Sequence, residues 1–333
     1  MRMKTYLQHW TVVTGALVSG AFALNVAVDP LWYGAGNRLT GRNYEFNERV
    51  SKAHLFLQDP GRYDCLILGS STSTIVHPSL LAPRRCFNFA FSAGVVGEFV
   101  AYARWLRDHG ARPSLVIVGA DYVNLDAHVD RQVDVPDFIA RSEPPPPRWK
   151  SYLSLDALLW SVLAALDQSP YPKYYDARFE VVIRPDAGTF DPEGLQVTRR
   201  ALDPARVERF RALRAFFPEA RFIGWMPPQS AWHTAELERT GMLPDYLRGL
   251  HALASVFDEF HDFAVPSDVT ARVDNTYDGR HYDNPVNARV TRRLAGQEDS
   301  FGVRVDTLSL EAYRDLYSRA LRALENGPGV GER

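Results

Sequence analysis

The sequence predicts an α/β fold: a parallel sheet covered on both faces by helices, preceded by an N-terminal transmembrane helix. Three observations predict it. Short, wholly apolar runs alternate with helix-patterned segments. Small and polar residues follow each apolar run, where open parallel sheets bind ligands. Trp10 to Val28 carries no charged side chain.

At the N-terminus, Arg2 and Lys4 precede the apolar stretch and no acidic residue occurs before Asp29. Trp10–Val28 is about the minimum needed to span a bilayer. Basic residues ahead of it keep the N-terminus cytoplasmic and send the rest outward. The expectation is a single-pass protein of a bacterial-type inner membrane, with its main domain in the periplasm. The alternative is secretion after cleavage, since Ala21-Phe22-Ala23 resembles a signal-peptidase site. The apolar run continues past that point, and Pro30-Leu31-Trp32-Tyr33 supplies a helix stop and an interfacial aromatic anchor. Residues 1–33 are therefore read as the anchor (or signal peptide) and residues 34–62 as a connector ending in an amphipathic helix, Asn47 to Gln58.

The main domain is expected over 63–330. Cys65–Leu68, Phe87–Phe91, Leu115–Val118, Arg221–Met226 and Phe260–Val265 read as strands. Helices are expected over Gly97–His109, Asp203–Phe217, Pro244–Val256 and Leu308–Leu324. The alternation is interrupted by an insertion at about 126–200, which holds the Pro144–Pro147 run and a helix from Ser154 to Asp167.

Composition excludes several classes. The 333 residues are 46% hydrophobic and 23% charged with a net charge of -2, ordinary globular values. No long basic run suggests a nucleic-acid partner. The two cysteines, Cys65 and Cys86, form neither a disulfide framework nor a zinc motif. Each opens a strand, so they are either buried small apolar residues or a disulfide between neighbouring strands. No metal or organic cofactor is expected.

The chemistry-bearing residues lie after the strands. Gly69-Ser70-Ser71-Thr72-Ser73 follows the first, and a serine on a glycine turn entering a helix lifts its hydroxyl above the sheet. Such a serine needs a base; the same residues also suit a plain helix cap. Asp278 and His281 share one short segment, Tyr277-Asp278-Gly279-Arg280-His281-Tyr282. An acid at this spacing can orient an imidazole whose other nitrogen takes the serine proton. Asp278-Gly279 is equally an ordinary turn pair. His77 and His128 lack such an acid and read as surface residues. Gln229, Trp225 and Trp232, near the end of the fourth strand, are candidates for a sugar-binding platform or for simple packing.

In combination, Gly69-Ser70-Ser71 after the first strand and Asp278-x-x-His281 after the last resemble the SGNH, or GDSL-like, hydrolase superfamily. Asn88-Phe89-Ala90-Phe91-Ser92-Ala93-Gly94 is similar to that family's second block, and Gly119-Ala120-Asp121 to its third. The resemblance covers about Asp64 to Gly296. It is closest to the membrane-anchored, exported subgroup that includes proteins of alginate acetylation and teichoic-acid D-alanylation.

The resemblance implies a three-layer α/β/α flavodoxin-like sheet and a serine esterase or O-acyltransferase acting on acyl, commonly acetyl, esters of cell-surface polysaccharide. It implies Ser71, His281 and Asp278 as the catalytic residues. The oxyanion would be held by the N–H groups of Ser71 and of Ala93 or Gly94. Asp121 stands where the family carries an oxyanion asparagine, and an ionised carboxylate repels an oxyanion. Either Asn124 substitutes, or Asp121 binds something else, or the hole uses backbone donors only. A multispanning membrane acyltransferase is a partner the subgroup suggests. The rival expectation is a non-catalytic member that binds glycan or scaffolds such a complex.

Overall fold

The computed structural model describes residues 2–326 except 45, 128–134, 194, 196 and 198–201; His128 lies outside the described residues. The chain divides into two units, Met1–Gln58 with Pro144–Arg184, and Asp59–Glu143 with Pro185–Arg333. The insertion expected at 126–200 is therefore split: its middle belongs with the N-terminal segment and its ends with the sheet.

The first unit opens with one continuous helix, Arg2–Val28, which is long and apolar enough to cross a membrane. The helix stops at Asp29, whose carboxylate accepts the N–H groups of Tyr33, Gly34 and Gly36 and the Tyr152 hydroxyl. The helix stop expected at Pro30-Leu31-Trp32-Tyr33 is present, whereas Trp32 and Tyr33, expected as an interfacial anchor, are buried within the protein. The connector helix runs Glu48–Phe56, with Asn47 as its side-chain N-cap. Two further helices, Arg148–Tyr152 and Leu155–Ala165, and an antiparallel hairpin of Lys173–Tyr175 and Val181–Ile183 follow in the same unit.

The second unit is built on a six-stranded, mostly parallel sheet. Its strands are β1 (Cys65–Leu68), β2 (Cys86–Asn88), β3 (Leu115–Gly119), β4 (Arg221–Met226), β5 (Glu259–Asp262) and β6 (Val303–Arg304). Their spatial order is β2-β1-β3-β4-β5-β6. All neighbours are parallel except β6, which runs antiparallel to β5. β1 and β3 are buried along their whole length, which explains why they read as unbroken apolar runs. Alternate residues on one face, Cys65, Ile67, Leu115, Ile117, Ile223 and Trp225, join Val286, Val290 and Leu294 in one core cluster.

Cys65 and Cys86 lie in register on β1 and β2 and form a disulfide across 4.2 Å of Cα separation. Of the two expectations, the crosslink is the one present. β2 is shorter than expected as a regular strand, yet Phe89 and Phe91 still donate their N–H groups to the Ile67 and Gly69 carbonyls at 2.8 and 3.1 Å before the Phe91–Gly94 turn.

The strand order fixes where a site can form. From β1 the chain moves outward to β2, then crosses back to β3 on the other side of β1. Such a reversal opens a crevice at the carboxyl ends of the strands flanking it, here above β1 and β3.

Candidate active site

Ser71 is the first residue of a one-turn helix, Ser71–Thr74, that leaves the end of β1. Two glycines let this turn sit low on the sheet. A Cβ at Gly69 would lie 2.2 Å from Ser73 Oγ, and one at Gly119, the last residue of β3, 1.9 Å from it. Ser73 thus fills the space between the ends of β1 and β3, and only glycine tolerates it there. Four carbonyls at a helix end lack intrahelical partners. The Asn88 Nδ2 of β2 shares its two N–H groups among three carbonyls in this stretch, those of Ser73, Thr74 and Val76, at 3.0, 3.2 and 2.9 Å.

Asp121, just past β3, is buried and holds the same turn from the other side. Its carboxylate accepts the hydroxyls of Ser70 and of Thr72, the latter at 3.1 Å. The nucleophile candidate is thus flanked on both sides by residues tied to one buried acid. Among the alternatives left open for Asp121, the structure gives it a partner: it binds the hydroxyls of the serine turn.

Asp278 and His281 come from the segment beyond β5. The loop is closed by a bridge between Thr276 and Tyr282 and by Gly279 at φ +80°. Asp278 Oδ1 accepts the N–H groups of Arg280 and His281 at 2.9 and 2.8 Å, the self-capping turn that aspartate favours. Its Oδ2 lies 2.7 Å from His281 Nδ1, and His281 Nε2 lies 2.8 Å from Ser71 Oγ. With Nδ1–H donated to Asp278, Nε2 presents its lone pair to the serine hydroxyl, the arrangement that proton transfer requires. The Tyr277 ring lies parallel to the imidazole, 5.5 Å between centroids, and limits its rotation.

Burial pushes the Asp278 carboxyl up, but the hydrogen bond and charge of the His281 ring and the two backbone N–H groups outweigh it. The carboxyl is held below its ordinary range. The phenols of Tyr277 and Tyr282 are driven the other way, by burial first and then by the Asp278 charge. They stay protonated.

No protein-family model matches the chain, and no curated protein matches it. The function therefore rests on the geometry of the site.

The expected oxyanion donors separate. Gly94 N–H is spent on the Phe91 carbonyl at 3.2 Å. Glycine is needed at that position because a Cβ would meet the Phe91 and Phe99 rings at 2.8 Å. Ala93 takes the left-handed conformation, φ +56°. Among the described residues, the surrounding turns leave the N–H groups of Ser71 and Ala93 unclaimed. Asn124 accepts Val96 N–H at 2.7 Å through Oδ1, while its buried Nδ2 has no partner.

The three candidates for a sugar platform also differ. Trp225 has no exposed surface; it packs edge-on against Phe263, 6.0 Å between centroids, as part of the core. That is a correction: a residue on the inward face of a central strand offers nothing to a glycan. Trp232 is half-buried on the helix Ala231–Arg239. Gln229 is buried with its Nε2 unpaired, and the next residue, Ser230, ties its N–H to the Gly279 carbonyl of the Asp278–His281 loop at 2.8 Å. His77 is half-buried, its N–H donating to Thr291 Oγ1.

The helix-cap reading of the serine turn holds at Ser70, whose Oγ accepts the Thr72 N–H at 3.4 Å; sequence reasoning missed Asn88 as a support of the turn, the tie of Ser70 and Thr72 to Asp121, and the group of Tyr122, His233 and Arg280. The Arg280 guanidinium lies over the Tyr122 ring at 5.5 Å, and the His233 ring is 5.4 Å from Tyr122. Burial, and then the Arg280 charge, push His233 down to about 4, so it is neutral at physiological pH. No local pattern signals this group, whose members come from three separate segments. Among the described residues, no cluster of three or more His, Cys, Asp or Glu side chains is gathered to hold a metal.

Proposed function

We propose that the chain is a membrane-anchored, extracytoplasmic serine esterase or O-acyltransferase. Its substrates would be acyl, commonly acetyl, esters of a cell-surface or exported polysaccharide. The observation that carries the reading is the continuous relay from Asp278 Oδ2 through His281 to Ser71 Oγ, with both contacts shorter than 3 Å.

In the proposed reaction Ser71 Oγ attacks the acyl carbon as its proton passes to His281 Nε2. Asp278, held ionised, stabilises the imidazolium that forms. The N–H groups of Ser71 and Ala93 would hold the developing oxyanion, a role worth about 10²–10³ in rate for each donor where it has been measured. His281 then gives its proton to the leaving alcohol, and the acyl group remains on Ser71. Attack by water completes hydrolysis; attack by a sugar hydroxyl completes transfer. As a transferase the protein would receive its acyl groups through a partner such as a multispanning membrane acyltransferase.

Several features support the reading. The mostly parallel sheet with strand order β2-β1-β3-β4-β5 is compatible with the flavodoxin-like arrangement that the resemblance to SGNH hydrolases implies. The Cys65–Cys86 disulfide suits an oxidising compartment, and the N-terminal helix suits export and retention. One observation favours the rival reading of a non-catalytic glycan-binding or scaffold protein: Asp121 offers acceptors where the family has an amide donor.

The test is hydrolysis of a chromogenic acetyl ester by the full chain in detergent, together with acetyl transfer to an oligosaccharide acceptor. Ser71→Ala is expected to abolish both reactions, and an organophosphonate is expected to label the wild type alone. Equal rates for wild type and Ser71→Ala would remove Ser71 as the nucleophile. Ligand binding without labelling or turnover would favour the scaffold reading.

A further inference from the structure

A helix facing water buries its large apolar residues and exposes its polar ones. Leu155–Ala165 does the reverse. Its buried residues are Ala157, Ser161 and Ala164. Leu155, Leu159, Val162 and, just past its end, Leu166 are 81%, 55%, 41% and 63% exposed. These four positions recur at intervals of four, three and four residues, so they form one stripe along the helix. Trp149 and Leu153, 54% and 50% exposed, extend the apolar surface upstream, and Lys150 stands exposed beside them.

The small-residue face is turned toward the end of the N-terminal helix. Ser161 Oγ donates to Asn25 Oδ1 at 2.7 Å, and Asn25 Nδ2 donates to the Tyr152 carbonyl at 2.8 Å. Ala164 packs in one cluster with Val28 and Tyr44. The Asn25 side chain is thereby satisfied without water, as a polar group in or near lipid must be. Small residues that let two helices approach closely are the usual contact in membranes.

Position along the N-terminal helix decides what the stripe meets. Its 27 residues extend about 40 Å at 1.5 Å per residue, against about 30 Å of bilayer hydrocarbon. Asn25 and Val28 belong to the last two turns, which fall at the outer boundary of the hydrocarbon. Leu155–Ala165 is held there with its leucines outward. Its edges carry Trp149, Trp160 paired with Tyr171 at 5.8 Å, and Lys150, the residue types of the membrane interface.

We propose that Leu155–Ala165 is a second membrane contact: it lies in the outer interfacial layer, with the Leu155, Leu159, Val162 and Leu166 stripe against acyl chains of the bilayer. The inference rests on the N-terminal helix being a retained anchor. It adds that the unit is seated on the lipid at two places, which restricts its tilt and rotation about the anchor.

The disulfide leaves no free cysteine, so an introduced thiol is the sole labelling site. The full chain carrying Leu159→Cys, Val162→Cys or Leu17→Cys is labelled with bimane and reconstituted in phosphatidylcholine–phosphatidylglycerol vesicles. Emission is compared between ordinary lipids and lipids brominated on their acyl chains. The expected result is a loss of emission at 159 and 162 comparable with that at 17. Quenching at 17 with none at 159 or 162 overturns the proposal and leaves the anchor standing. No quenching at 17 removes the anchor and the proposal together. A label at 159 shielded from aqueous iodide but untouched by brominated lipid would mean that protein covers the stripe, and this too overturns it.

Discussion

Thr72 donates its hydroxyl to the buried carboxylate of Asp121 at 3.1 Å, one residue beyond the candidate nucleophile. Ser70, one residue before it, donates to the same group. Asp121 therefore acts on Ser71 through the turn that carries it. Asp121→Asn keeps the shape but replaces one acceptor oxygen with an amide donor, so the two hydroxyls compete for a single acceptor. The expected outcome is a loss of about 2 kcal/mol of stability and slower phosphonate labelling of Ser71. A variant that labels faster than wild type would indicate instead that an amide at this position supplies an oxyanion donor.

Asp278→Asn is expected to lower ester hydrolysis by about 10³–10⁴-fold with little effect on KM, because an asparagine stabilises the wrong tautomer of the imidazole and leaves the imidazolium unsupported. Unchanged kcat would separate Asp278 from the chemistry.

The same carboxyl sets an expectation for pH. A carboxyl held below its ordinary range adds stability that is present above the unfolded value, about 3.9, and is lost as pH falls through the folded value. Protonation of Asp278 should therefore affect the site only below about pH 4. Any acid limb of the rate profile above that should persist, at its own midpoint, in Asp278→Asn.

His261, on β5, is expected to make the fold acid-sensitive. Burial, and then the charges of Arg293 and Arg304, push it down to about 4. The unfolded chain thus binds a proton that the folded one refuses between about pH 6.5 and 4, and stability falls as pH drops through that window. The contribution is at most about 3 kcal/mol. Denaturant unfolding from pH 7 to pH 4 should show a shallower decline for His261→Gln than for wild type. Parallel declines would remove His261 as the cause.

Reducing the Cys65–Cys86 bond, or replacing both residues with alanine, is expected to cost about 3 kcal/mol, the loop-closure value for a span of this size. Equilibrium unfolding with and without reductant measures it, and coincident curves would contradict the expectation.

What was legible in the sequence followed burial. β1, β3 and most of β4 are apolar because both faces are covered, so they were read nearly to the residue. The hairpin Lys173–Tyr175 and Val181–Ile183 is only partly buried, and it mixes lysine and tyrosine with valine. The helix Asn284–Leu294 was missed because its arginines obscure a stripe of Val286, Val290 and Leu294. Its Asp283 N-cap and Pro285 were the signal available. In the site, Asp278 and His281 are three residues apart and meet locally, so spacing revealed them. Asp121 reaches Ser70 and Thr72 only through the register of β1 against β3, which no local pattern encodes. Trp225 was misplaced for a related reason: strand parity puts it on the core face with Ile223.

The bond between Cys65 and Cys86 fastens together two strands with different duties. β1 leads into Ser71, and β2 leads, through Asn88, into the turn that presents Ala93. Their relative register sets where Ser71 and Ala93, the proposed nucleophile and oxyanion donor, stand relative to each other. On the exported reading, the chain meets an oxidant only after it has crossed the membrane. The sheet edge would then be assembled in two stages, with β1 and β2 joined by hydrogen bonds alone on the synthesis side and fastened covalently on arrival.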